Sequence, residues 1–409
     1  MHREFGGQAV SEDKTQGFPQ SLGEESSVVH FVNSIVSHAI RKRASDIHFE
    51  PGGAKFRVRC RIDGFLLEVG TYVQPNYPAV AARIKVMADM DIAEKRLPQD
   101  GRIHIAEFDG RRIDIRVATL PTIFGEKVVM RILDKKAIMT NIHQLGFSAE
   151  CLAGFRRLYS QAYGMVLVTG PTGSGKTTTL YSVLTEINSV TKNIITIEDP
   201  VEYRIDGTNQ IQVNTKSGMT FANGLRSILR QDPDVIMVGE IRDKDTADIA
   251  VRAALTGHLV LTTLHTNDAA GAITRLIDMG IEPYLVASSV LGVLAQRLVR
   301  LVCPECRTVY QPAQTERELL QLADTEVRYR ATGCNFCGQT GYYNRTAIYE
   351  VLPLTAELRE TVKNRVSSEA IRRAAIRQGM TTMQQDGMAK VGGGQTTLEE
   401  VMRVVHCFE

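Results

Sequence analysis

Residues 170–177, GPTGSGKT, have the complete spacing of a loop that binds the phosphates of a nucleotide. Glycines in such a loop let backbone N–H groups turn toward phosphate oxygens, while Lys176 neutralises the β- and γ-phosphates and the Thr177 hydroxyl can ligate Mg²⁺. The spacing therefore predicts a nucleoside triphosphate and Mg²⁺ as ligands. We expect the triphosphate to contact Gly170, Pro171, Thr172, Gly173, Ser174, Gly175, Lys176, Thr177 and Thr178.

The sequences on either side of this loop have the periodicity that phosphate binding requires. An apolar run rich in β-branched residues, 165–170, precedes the loop, and residues 177–187 have the pattern of a helix. A strand, a loop and a helix in that order place the positive end of the helix dipole at the phosphates. This context favours a nucleotide site over a glycine-rich turn without a ligand.

Polar side chains follow three further apolar runs, at the positions where strands of an open α/β sheet end. Active sites of such sheets lie at the carboxyl ends of the strands. We therefore predict Glu198 as the general base or water-positioning residue, and Glu240 as a ligand in the Mg²⁺ shell or the residue that orients the attacking water. His258 and His265 flank the run LVLTTL and are candidates to sense the γ-phosphate. The alternatives are a cap at Glu198, a solvated strand end at Glu240 and structural histidines.

Two arginines in alternating runs before the loop are less obvious candidates. In IDIRVATL, Arg116 lies on the face opposite Ile113 and Ile115, so the simplest interpretation is a solvated face. An arginine supplied by a separate domain can instead stabilise the charge of phosphoryl transfer, and it would then couple hydrolysis to domain movement. Arg116 and Arg131 are the residues to which this second interpretation applies.

Four of the seven cysteines form two C-x2-C pairs. They are Cys303, Cys306, Cys334 and Cys337. Soft thiolates in two close pairs suit tetrahedral Zn²⁺ in a closed structural site. A redox dithiol is the alternative, and the duplication of the pair argues against it.

Composition limits the class of protein and its partners. The 409 residues are enough for two or three domains, and 48 basic against 46 acidic side chains leave a net charge of only +2. This balance gives no argument for nucleic acid or a membrane surface as partner. The sequence has neither a long apolar run nor a signal segment near its start, so we expect a cytoplasmic protein.

The patterns along the chain predict a small mixed domain followed by a larger domain in which strands and helices alternate. Such alternation is typical of a parallel sheet with helices on its faces. The expected boundaries are 1–26 for a flexible tail, 27–136 for the small domain, 137–146 for a linker and 147–409 for the larger domain, which includes the cysteine module at 303–341 and a helical region at 345–409.

Several long motifs occur in a fixed order: ASDIHFEP at 44–51, EKRLPQDGRI at 94–103, GPTGSGKTTTL at 170–180, IEDPVEY at 197–203, LRQDPDVIMVGEIRD at 229–243, TGHLVLTTLHTNDA at 256–269 and the two cysteine pairs. Together they resemble the secretion ATPases of type II secretion and type IV pilus assembly over residues 27–409. The resemblance implies an α/β fold with a RecA-like P-loop core that binds ATP and a smaller α+β PAS-like domain.

The same resemblance implies a homohexamer that moves an inner-membrane platform protein and is held by a membrane recruiter at the cytoplasmic face, with no nucleic-acid partner. In the family, IEDP forms an aspartate box and TGHLVLTTLH a histidine box, which supports catalytic roles for Glu198, His258 and His265. Arg116 and Arg131 match the small-domain arginines that reach the nucleotide in relatives.

The segment 288–306, SSVLGVLAQRLVRLVCPEC, is closer to the type II secretion branch than to pilus assembly, which stays as the alternative. The cysteine pairs favour secretion or pilus extension over retraction. A DNA-transport ATPase and a scaffold that does not hydrolyse ATP are the other classes. We expect the domain that docks type II motors onto their recruiter to be missing. Asn223 and Tyr343-Asn344 depart from the residues common in relatives.

Overall fold

The computed structural model of the chain describes residues 25–73, 76–134, 141–314, 317 and 328–405. These residues divide into two compact units, one within Met1–Ile138 and the other within Met139–Glu409. Of the predicted tail, residues 1–24 lie outside the described part, and of the predicted linker, residues 137–140 do. The two units are described separately below.

In the first unit, two helices cover one face of a six-stranded sheet in which every neighbouring pair is antiparallel. The strands have the spatial order β3-β2-β1-β6-β5-β4. The elements are α1 (Glu25–Arg41), β1 (Asp46–Glu50), β2 (Lys55–Ile62), β3 (Phe65–Val73), α2 (Tyr77–Met87), β4 (Gln99–Phe108), β5 (Arg111–Thr122) and β6 (Gly125–Asp134).

Alternating side chains explain why this sheet has one buried and one open face. Phe56, Val58 and Cys60 of β2 are at most 1% exposed and pack in the core with α1 and α2, while the arginines between them lie on the other face. The strand predicted from this alternation is therefore confirmed. The open face is charged, and it includes both Arg116 and Arg131, which are directly opposite each other on β5 and β6.

The second unit is built on a seven-stranded sheet with the order β15-β12-β7-β11-β10-β8-β9. Its strands are β7 (Gly164–Thr169), β8 (Ile194–Glu198), β9 (Asn209–Gln212), β10 (Val235–Val238), β11 (Leu259–Leu264), β12 (Val290–Val302) and β15 (Tyr342–Pro353), and a separate hairpin pairs β13 (Thr308–Tyr310) with β14 (Arg328–Arg330). Neighbouring strands are parallel except for β12 and β15. Every residue of β7, β10 and β11 is buried, as expected of central parallel strands.

Helices follow most strands of this sheet, and side-chain caps fix where several of them begin. Asp243 and Asp268 accept backbone N–H groups at the first turns of α6 and α7. The helices are α3 (Ala149–Tyr159), α4 (Lys176–Ile187), α5 (Phe221–Ile228), α6 (Lys244–Leu255), α7 (Ala269–Asp278), α8 (Pro283–Ser289), α9 (Ala356–Lys363), α10 (Ser368–Arg377), α11 (Met383–Gly392) and α12 (Leu398–Val404).

The predicted helical region at 345–409 needs a correction. It begins with most of β15, which extends the sheet beside β12, and helices follow only from Ala356 onward. Five successive residues of β15 are buried, namely Thr346, Ala347, Ile348, Tyr349 and Glu350. Burial on both faces of the sheet explains why the strand shows no simple alternation in sequence.

Candidate functional site

The phosphate loop joins the end of β7 at Thr169 to the start of α4 at Lys176, as the sequence predicts. Two of its glycines adopt backbone angles that other residues rarely reach, with φ of +80° at Gly173 and +88° at Gly175. At Gly170 a Cβ atom would come within 2.5 Å of the Gln296 carbonyl oxygen, so only glycine fits. The loop therefore has the local geometry in which backbone N–H groups can face an anion.

The loop contains two polar groups whose surroundings fit a phosphate ligand. The Ser174 hydroxyl is buried and, within the described part of the chain, has no hydrogen-bond partner. Lys176 Nζ donates to the carbonyl oxygens of Gly170 (2.8 Å) and Pro171 (3.1 Å), which places the charge over the loop. Burial lowers the pKa of Lys176 to about 8, an effect that Glu240 opposes and Arg297 reinforces.

Glu240 and His265 meet at the same edge of the sheet. Their atoms Oε2 and Nε2 are 3.2 Å apart, and Arg242 forms an ion pair with the other carboxylate oxygen of Glu240. Burial opposes ionisation of Glu240, but the hydrogen bond and charge of Arg242, helped by His265, outweigh it and lower the pKa. The carboxylate is therefore ionised at neutral pH.

The chemistry of these donors fits the predicted Mg²⁺. Thr177 is exposed at the first turn of α4, which follows β7. Glu240 lies two residues after the end of β10, and β10 is two strands from β7 in the sheet order. A hydroxyl and a carboxylate are the oxygen donors that Mg²⁺ takes beside the phosphates. The nucleotide residues predicted from sequence, 170–178, all lie in this loop and the first turn of α4.

Glu198 lies at the end of β8, but its surroundings do not favour the predicted role of general base. It is 3% exposed, and its carboxylate accepts hydrogen bonds from Tyr181, Thr196 (2.6 Å) and Gln210 (3.2 Å). Burial raises the pKa of Glu198 in spite of these bonds. A general base must reach a water molecule, whereas this carboxylate joins α4, β8 and β9 inside the protein.

The structure separates the two histidines that the sequence pairs. Leu259 is opposite Gly164, the first residue of β7, whereas Leu264 is opposite Thr169, next to the loop. His258 therefore lies at the far edge of the sheet, about 23 Å from His265 along β11. There its Nδ1 donates to the Ala253 carbonyl at 3.0 Å. Within one subunit, His258 cannot sense the γ-phosphate, because a whole strand lies between them.

Arg116 and Arg131 lie in the first unit, on the open face of its sheet. The Arg131 side chain is 60% exposed, and its Nε donates to Asp46 Oδ1 at 3.0 Å. Arg116 is half-buried directly beside it. Both side chains carry positive charge, which an anion would require. Their role toward ATP stays a prediction.

The four cysteines of the two pairs converge at the end of β12, with all four Sγ atoms within 4.8 Å of one another. The Sγ distances are 3.9 Å from Cys303 to Cys334, 3.8 Å from Cys306 to Cys337 and 3.7 Å from Cys334 to Cys337. Four sulfurs at about 2.3 Å from a tetrahedral zinc ion are about 3.8 Å apart. The residues thus fit Zn²⁺, with no position left for a substrate.

Three residues near the site, Arg242, Gln296 and Arg297, were not predicted from sequence. Arg242 contacts Glu240, and the Gln296 side chain donates to the Ser174 carbonyl at 2.6 Å. Arg297 donates to the carbonyl oxygen of Asn267 at 2.7 Å. Asn267 lies two residues after His265 in the sequence. A signal was available for the last two, because a glutamine and an arginine interrupt the apolar run at 290–299.

Comparisons with known proteins agree with this geometry. The family described as Type II/IV secretion system protein matches residues 21–403. The chain belongs to this family. Among relatives, it is 51% identical over 383 residues to the Type II secretion system ATPase E of Vibrio cholerae, covering 93% of this chain and 76% of that one. It is 49% identical over 403 residues to the Type IV pilus assembly ATPase PilB of Myxococcus xanthus, covering 96% and 71%.

Solved structures confirm the predicted fold class, a RecA-like α/β core with a smaller PAS-like unit. The pilus retraction motor PilT with bound ADP is 26% identical, with a TM-score of 0.61, covering 91% of this chain and 96% of that one. The Yersinia pseudotuberculosis ATPase DotB, 22% identical over 98% of this chain and 99% of that one, shares the fold with a TM-score of 0.70.

This member of the family is an ATP-hydrolysing enzyme, since its relatives are ATPases and its phosphate loop is complete. Among the helices that the structure describes, none has the length and apolar character needed to cross a membrane.

Proposed function

We propose that this chain is the motor of a type II secretion system, a cytoplasmic homohexamer that couples ATP hydrolysis to pseudopilus assembly. The high identity to the Vibrio cholerae ATPase E supports the pathway. The observation that carries the motor function is the edge of the sheet where the phosphate loop, Glu240 and His265 come together. These groups can bind ATP and position it for hydrolysis.

Each side chain has a defined task in this proposal. The loop amides and Lys176 hold the phosphates, and Thr177 and Glu240 would hold Mg²⁺, which supplies positive charge to the phosphate oxygens. Glu240 also orients the attacking water, because its lowered pKa keeps the carboxylate ionised as a hydrogen-bond acceptor. His265 fixes the direction of that carboxylate through its 3.2 Å contact.

Arg116 and Arg131 complete the proposed site as a clamp from the small unit. Bound triphosphate would draw both guanidinium groups toward its charge, and hydrolysis would release them. The resulting movement of the small unit is the proposed power stroke. The clamp explains why a motor keeps two adjacent arginines on an open face with Asp46 as the carboxylate beside Arg131.

The proposed partners are an inner-membrane platform protein that receives the movement and a membrane recruiter that holds the motor at the cytoplasmic face. We propose Zn²⁺ in the cysteine cluster as a structural ion, because four thiolates at these distances close its coordination.

A Glu240→Gln variant tests the motor function. The amide keeps the size of the side chain but loses the negative charge, so we expect kcat for ATP to fall by about a hundredfold or more while nucleotide still binds. Glu186→Gln is a matched control, because Glu186 pairs with Arg156 and Tyr159 on α3, outside the proposed machinery. Equal hydrolysis by wild type and Glu240→Gln would contradict the proposal.

The pathway is tested in the native organism. Deletion of the gene is expected to remove exported proteins from the culture medium while surface pili remain. The alternative, a pilus extension motor, has support from the 49% identity to PilB over 96% of the chain. Loss of pili with normal protein export would favour that alternative.

A further inference from the structure

Strand β12 runs beside β7, and its Gln296 side chain contacts the phosphate loop from the protein interior. Ala295 is opposite Thr169, the last residue before the loop. Gln296 is 1% exposed, and its Nε2 donates to the Ser174 carbonyl at 2.6 Å. Its Oε1 accepts a hydrogen bond from the Thr179 hydroxyl at 2.9 Å. One buried amide therefore joins the loop to the first turn of α4.

The glycines of the loop leave the space that Gln296 occupies. A Cβ atom on Gly170 would lie 2.5 Å from the Gln296 carbonyl oxygen, and one on Gly175 would lie 3.2 Å from Nε2. The loop thus packs closely on this residue on its inner side, while its outer side is open to the nucleotide.

The next residue on β12 holds the other part of the site. Arg297 is 7% exposed, and its Nη2 donates to the backbone carbonyl (2.7 Å) and side-chain oxygen (3.2 Å) of Asn267. Its Nη1 donates to the Gln296 carbonyl at 3.1 Å. Because Asn267 follows His265 by two residues, β12 connects the phosphate loop with the segment that positions His265.

We propose that Gln296 is a positioning residue for ATP binding, which holds Ser174 and Thr179 so that the loop amides face the phosphates without an ordering step. It contacts no reacting atom itself. The inference rests on the ATPase function of this site. Pre-organisation of this kind raises affinity, because less conformational freedom is lost when the ligand binds.

A Gln296→Met variant tests the inference, because methionine fills a similar volume but forms neither hydrogen bond. We expect the dissociation constant for a non-hydrolysable ATP analogue to rise about tenfold, as for the loss of one to two net hydrogen bonds. The KM for ATP should rise with it, while kcat at saturating ATP stays within about twofold. Melting without nucleotide monitors the fold.

A Thr179→Val variant provides a second route, since it removes the donor to Gln296 Oε1 from the opposite side. We expect weaker binding in the same direction, and the two changes combined should cost less than their sum. Thr262→Val is the matched control. Its buried hydroxyl has no hydrogen-bond partner among the described residues, so binding should be unchanged.

Binding within about twofold of wild type in both Gln296→Met and Thr179→Val would overturn the positioning role, and additive effects of the two changes would overturn it as well. A wild-type protein that binds no ATP analogue would instead contradict the proposed function. The two failures are therefore distinguishable in one titration series.

Discussion

Lys176 must be charged to hold phosphate, and its burial works against that charge. Burial lowers the pKa from 10.5 to about 8, Glu240 raises it in part, and Arg297 lowers it further. The lysine therefore titrates at about pH 8 when no phosphate is bound. A bound triphosphate favours the ammonium form, because opposite charges at short distance stabilise each other.

We expect ATP binding to take up a proton at about pH 8.5 and affinity to fall as the pH rises above about 8. The sign follows from the lowered pKa: as pH rises through 8, free protein loses the lysine proton that the complex needs. Calorimetry in two buffers with different ionisation enthalpies measures the uptake. Lys176→Arg keeps its charge throughout this range, so its uptake should vanish. A wild-type protein without uptake would contradict the pKa shift.

The cysteine module follows β12 and contains only a short hairpin. Its hairpin of β13 and β14 has three residues in each strand. Backbone N–H groups of Gly333 and Gly341 point to Cys306 and Cys337 at 3.3 and 3.2 Å, which stabilises sulfur in the thiolate form. We therefore expect so small an element to depend on the proposed zinc ion for its stability.

We expect about one zinc ion per chain of the wild-type protein. A Cys306→Ser variant should lack zinc and melt about 5–10 °C lower than wild type. Chelation of wild type should reproduce the lower melting temperature. Cys151→Ser is the control, because Cys151 lies on α3 outside the cluster, and its zinc content should match wild type. A wild-type protein that is folded and free of metal would contradict the assignment of a zinc site.

For the whole molecule, the proposed clamp makes hydrolysis depend on both units of the chain. Arg131 forms an ion pair with Asp46, a contact that a triphosphate could replace with stronger charge. Arginine contributions of this kind are large in phosphoryl transfer, about 10³-fold or more. The proposed clamp should therefore affect the rate of ATP hydrolysis by the assembled protein and not the stability of the small unit.

We expect Arg131→Ala to lower kcat for ATP by at least about a hundredfold while hexamers still form. Arg57→Ala is the control, because Arg57 lies on the same open face but pairs with Glu50 on β1 and β2. Steady-state hydrolysis and light scattering of the same samples separate catalysis from assembly. A hexamer of Arg131→Ala with wild-type activity would remove the clamp from the mechanism.

Much of the site could be predicted from sequence because it depends on short-range patterns. The loop from Gly170 to Thr177 needs glycines at fixed positions between a strand and a helix, so residue type and spacing are enough. The cysteine pairs are equally local, because their C-x2-C spacing and the chemistry of thiolates are enough to predict a metal site. Glu240 and His265 follow apolar runs, and strand ends in a parallel sheet meet at one edge.

Tertiary structure alone decided which candidates share that edge and which are buried. Glu198 has the same sequence signal as Glu240, but its carboxylate is buried and accepts a hydrogen bond from Tyr181, which argues against a general base. His258 precedes β11 whereas His265 follows it, so the length of that strand separates the two histidines. Gln296 lies 122 residues after Ser174, and both Gln296 and Arg297 reach the site because β12 pairs with β7. Sheet order and long-range hydrogen bonds are set by packing of the whole unit, so no local pattern encodes them.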